Sequence, residues 1–93
     1  MYLFSVIATA KKDQPELAEG QQGEFIVYID FKDQAGAKQL CKFYVASLGF
    51  SNVVIEKMKL ANADFIKNSV SSGHRKPIET AQKQGYYVQF FTP

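Results

Sequence analysis

Few residues in this chain are of a type and spacing that could do chemistry. His74, the single histidine, lies in the polar run Ser71-Ser72-Gly73-His74-Arg75-Lys76, and Cys41 is the single thiol. An imidazole becomes a catalytic base when a Ser or Cys nucleophile stands within reach and a carboxylate orients the ring. Ser71 and Ser72 read as loop residues, no Gly-x-Ser-x-Gly turn occurs, and Cys41 falls on the apolar stripe of a helix described below. One His and one Cys cannot supply the nitrogen and sulfur ligands of a typical zinc site. Asp30 and Asp33 stand in no recognisable calcium loop, and Gly-rich phosphate cradles are absent. What remains is anion contact, in which His74, Arg75 and Lys76 and the backbone N–H groups of their turn would meet a negative ligand. The expectation is a binding protein rather than an enzyme, with no metal and no cofactor.

A second constellation is aromatic. Gln84-Gly85-Tyr86-Tyr87-Val88-Gln89-Phe90 resembles the RNP1 strand of RNA-recognition motifs, in which a basic residue, Gly and alternating rings present bases with a stacking surface. The segment departs from that pattern in three ways. Gln84 stands where Lys or Arg is expected, the small residue after the first ring is missing, and the strand is the last in the chain. The resemblance implies single-stranded nucleic acid stacked on Tyr86, Tyr87 and Phe91, with Lys32, Lys57 and Lys59 nearby. A protein partner ranks above it.

The elements that must position these residues are clearest from Glu24 to Lys59. Phe25, Val27, Ile29 and Phe31 alternate onto one side of a strand over Glu24–Lys32, because strand side chains point to opposite faces in turn. Asp33 is placed to cap a helix over Gln34–Leu48, with Ala37, Leu40, Cys41, Tyr44, Val45 and Leu48 on its apolar stripe. Gly49 suits the left-handed residue beyond the helix end. Val53 and Ile55, with Val54 and Met58 on the other face, read as the next strand.

Outside this stretch, Met1–Ala10 reads as a first strand. Lys11–Gly23 reads as a long, solvated, partly disordered hairpin loop. Asn62 could cap a short helix holding Phe65, Ile66 and Val70, or Phe65–Val70 could be a strand, and the helix is preferred. Pro77 is expected to begin a further helix closed by Gly85, before a last strand from Tyr86.

At 93 residues, 46% hydrophobic and 22% charged, the chain is one domain with one core. Its charge of +2 implies no polyanion partner. The lone Cys41 fits a reducing compartment. Ala8-Thr9-Ala10 imitates a cleavage site, but the segment lacks a basic start and no stretch nears the roughly 20 apolar residues of a membrane span. The cytoplasm is the expected location and a membrane partner is not expected.

The element order predicts an α+β two-layer sandwich. One mostly antiparallel or mixed four-stranded sheet would carry two to three helices on one face, in the order β-β-α-β-(α)-α-β. A strand at Phe65–Val70 would instead make it ferredoxin-like with an extra N-terminal strand. Eight Phe and five Tyr exceed the needs of one small core. With helices on a single face, Ile26, Tyr28, Tyr87 and Phe91 would form an open apolar patch, and Phe43 would stand off the helix stripe. These five residues are the expected interface, used for self-association or for an inhibitor- or immunity-type contact with another protein.

Overall fold

The computed structural model describes residues 1–68 and 75–91. β1 (Tyr2–Ala10) and β2 (Gln22–Ile29) form a hairpin, α1 (Gln34–Ser47) leads to β3 (Phe50–Leu60), and α2 (Ala63–Asn68) and α3 (Arg75–Gln84) lead to β4 (Tyr86–Phe91). The strands make one sheet in the order β3-β1-β2-β4, with every neighbouring pair antiparallel. The α+β architecture is therefore as the periods predict. Among the described residues no helix is long and apolar enough to cross a membrane.

Asp33 caps α1, its Oδ2 accepting from the Gly36 N–H at 2.8 Å. Gly49 takes φ +94° after the helix, a conformation that an L side chain resists. A Cβ there would also lie 2.7 Å from Gln14 Nε2. Asn62 Oδ1 accepts from Phe65 N–H at 2.9 Å and opens α2, so Phe65–Asn68 is helical and supplies no strand for the ferredoxin-like alternative. The rest of that alternative strand lies outside the described residues. Pro77 is the third residue of α3 rather than its first.

Two sets of side chains pack on opposite faces of the sheet. On the first, Phe4, Val6, Ala8, Phe25, Val27 and Ile29 meet Ala37, Cys41 and Val45 of α1. Phe25 sets its ring edge-on to Phe50 at 4.9 Å, and Tyr44 of α1 stacks on Tyr86 at 3.8 Å. On the second face, Leu3 and Tyr28 pack with Ala61 and with Ile78 and Ala81 of α3. The helices thus lie on both faces, not on one. The reason is in β2, whose second face also turns apolar at Ile26 and Tyr28, so covering the first face alone would leave Tyr28 in water.

Three local expectations change with this. β2 ends at Ile29 because residues 30–33 must leave the sheet to reach the cap, so Phe31 is exposed rather than part of the core row. Likewise α1 ends at Ser47 and leaves Leu48 in the turn, 51% exposed. The third concerns residues 11–21, which fold back as a strap. Lys11 N–H donates to Gly49 O at 3.0 Å and Gln14 Nε2 to Leu48 O at 3.3 Å, while Glu19 N–H donates to Asp13 Oδ1 at 2.9 Å. Leu17 is only 4% exposed. It closes over Gly23 together with Phe90, leaving no room for a Cβ, which would lie 2.9 Å from Leu17 and 2.8 Å from Phe90.

β3 carries two bulges. Ser5 faces Lys57 while Val6 faces Ile55, so Glu56 is an extra residue. Ile7 faces Val54 and Thr9 faces Ser51, and Asn52, at φ 51°, marks the second insertion. Each bulge reverses the alternation. Met58 therefore shares a face with Val53 and Ile55, contrary to simple parity, and Phe50 is turned into the first core.

Candidate functional site

The strand registers arrange the second face in rows that run across all four strands. Lys59, Leu3, Tyr28 and Tyr87 form one row, Lys57, Ser5, Ile26 and Gln89 the next, and Val54, Ile7, Glu24 and Phe91 the third. The first row is covered. Tyr28 lies under Ile78 and Ala81, and the Lys59 ammonium sits 4.3 Å from the Phe65 ring centre. α2 reaches only the border of the second row, where Phe65 lines a hollow with Ser5, Ile26 and Lys57, and no described helix lines the hollow beside Glu24 and Phe91. Val54 is 55% and Phe91 40% exposed, Glu24 and Lys57 are exposed, and Ile7, Ser5, Ile26 and Gln89 are half-buried.

Two hollows of about 370 and 290 Å³ lie along this open half, and both are lined by Ser5, Ile26 and Lys57. Ser5 explains the depression, being a small residue on the central strand between longer neighbours. Val54, Ile7, Ile26 and Phe91 thus make an apolar strip with Lys57 at its side, Glu24 set between Ile7 and Phe91, and Glu56 lining the same hollow. Strand and residue spacings put Lys57 and Glu24 about 12 Å apart on the sheet.

The expected interface residues separate. Ile26 and Phe91 lie in the open rows, and Tyr87 lies at the end of the covered row, its ring 6.1 Å from that of Tyr28. Tyr28 itself is a correction: at 0% exposure it belongs to the core between sheet and α3, because the helix expected on the first face packs here instead. Its phenol is held above its ordinary pKa, first by burial and then by Tyr87. Phe43, 64% exposed, stands on α1 over the first face, edge-on to Tyr44 at 5.5 Å, and so does not join the patch.

Of the expected anion contacts, His74 lies outside the described residues. Arg75 opens α3 and pairs with Glu79 one turn on at 3.1 Å, both side chains being largely exposed, and Lys76 beside it is exposed. An ion pair so exposed contributes little. Cys41 is fully buried, and burial, opposed by Lys42, pushes its thiol up to about 12, so at neutral pH it is neither thiolate nor ready nucleophile. Among the described residues no cluster of three or more His, Cys, Asp or Glu side chains could hold a metal ion.

Ser5, Ile7, Val54 and Lys57 complete the open surface, and the residue pattern alone did not bring them together. Only the Glu56 bulge aligns Val54 with Lys57 on the same face, and no sequence signal marks that insertion. No family model, curated protein or solved structure matches this chain.

Proposed function

We propose that the chain is a non-enzymatic interaction domain that pairs with a second copy of itself through the open half of its second sheet face. The observation that carries this reading is the exposure of Val54 and Phe91, with half-buried Ile7 and Ile26 between them, on a face that also carries Lys57 and Glu24. The two charges make the strip complementary to itself. A twofold axis parallel to the sheet, lying between the two faces and crossing midway between the charges at right angles to the line joining them, places Lys57 of each copy against Glu24 of the other. Small Ser5 near that axis lets the faces approach.

Four strands about 4.8 Å apart and the two open rows of about 6.8 Å give a flat area of roughly 260 Å². That is about a third of the roughly 800 Å² per partner in a standard interface, so the dimer is weak and transient. Nucleic acid fits this surface less well, since Glu24 and Glu56 stand beside Lys57 and the Tyr28 ring is withdrawn.

Sedimentation equilibrium tests the proposal. Phe91→Asp and Lys57→Glu should each weaken dimerisation by about tenfold or more without loss of fold, and Lys57→Glu combined with Glu24→Lys should restore it. A wild-type chain that stays monomeric at about 1 mM would defeat self-association and leave a heterologous protein as the partner, and charge reversals that fail to compensate would defeat the Lys57–Glu24 pairing.

A further inference from the structure

A hollow of about 260 Å³ opens at the other side of the sheet, between the strap and the end of α1. Phe25, Phe50 and Phe90 form its floor, Leu17 and Leu48 its walls, and Gln14 with its strap neighbours its rim. The rings form a group, with Phe25 at 4.9 Å from Phe50 and 5.1 Å from Phe90. Two hydrogen bonds hold the rim in place. Gln14 Nε2 donates to Leu48 O and Lys11 N–H to Gly49 O, at 3.3 and 3.0 Å, which anchors the strap to the turn after α1.

We propose that this hollow is a binding site for a small neutral aromatic molecule of one or two fused rings. Size sets the upper and lower limits. An apolar cavity of about 150 Å³ already accommodates benzene, and pockets for larger ligands begin at about 300 Å³. Chemistry sets the class, because the floor and walls are rings and leucines while the polar side chains, Gln14 and Glu16, stand at the mouth. Water needs two to four polar partners in such a space and finds few here. A flat ring finds edge-to-face contacts on three sides. The site lies on the first face and is independent of the open rows proposed for pairing.

Indole is the probe, titrated into the 15N-labelled protein while backbone amide shifts are followed by NMR. Saturable shifts at Leu17, Phe25, Phe50 and Phe90, with a Kd below about 1 mM, are expected. Leu48→Trp should fill the hollow and weaken binding by about tenfold or more. Half of Leu48 is already in water, so the fold should tolerate the change, and Leu48→Phe offers a milder version of the same block. Phe91→Asp should leave indole binding unchanged. Linear, non-saturating shifts, shifts centred on Val54 and Phe91, or undiminished binding by both folded Leu48 variants would overturn the assignment.

Discussion

Cys41 makes the protein's alkaline stability calculable. Its thiol ordinarily ionises near 9.0 and in the folded chain only at about 12. Below pH 9 the group is neutral both folded and unfolded and has no effect on the balance. Above it the unfolded thiol loses its proton while the buried one keeps it, so stability is lost as pH rises from about 9 toward about 12. The linkage relation makes that loss about 2 kcal/mol by about pH 10.5, out of a total of about 5–10 for a domain of this size. Cys41→Ala removes the titrating group and imposes a constant penalty for the missing sulfur, so the difference between the two proteins isolates the thiol. Tyr28 titrates high in both and cancels. Urea unfolding at pH 7, 8, 9, 10 and 10.5 should give profiles that are parallel up to about pH 8 and then converge by about 2 kcal/mol by pH 10.5. Profiles that stay parallel to pH 10.5 would mean that water reaches the thiol, and the packing of α1 on the sheet would have to be redrawn.

Other substitutions separate core from surface. Tyr28→Ala should cost about 3–5 kcal/mol in urea unfolding, as large-to-small changes in a core do, whereas Phe91→Ala should cost under about 1. Asp33→Ala should lower stability by about 1 kcal/mol through the loss of the bond to Gly36, and Asp33→Asn should recover most of it; a neutral Asp33→Ala would deny the cap.

Much of the frame was legible in the residues from Glu24 to Lys59 because independent signals agree there. The alternation of β2, the stripe of α1, the Asp33 cap and Gly49 are each local, and each points to the same boundaries. Asn62 and Gly85 were readable for the same reason. What escaped was non-local. In α3 the apolar side is little more than Ile78 and Ala81, too small a stripe to say which face of the sheet it would cover, and that choice decided the fate of Tyr28. Leu17 is a single apolar residue in a polar segment, and its burial depends on Phe90 at the far end of the chain. The bulges at Asn52 and Glu56 have no composition signature, yet they reassign the side chains of β3. The open surface was therefore half readable: Ile26 and Phe91 by alternation, Val54 and Lys57 not.

Those bulges also bear on how copies of the chain can meet. β3 is an edge strand of 11 residues, long enough to template another strand along its free side. Interruptions at Asn52 and Glu56 break its ladder into short pieces, and Lys57 and Lys59 would bring like charges into any added strand. Edge-to-edge growth, which has no natural stopping point, is thereby discouraged. Association across a sheet face about a twofold axis stops at two. The irregularity of one strand thus favours a finite assembly over a fibre.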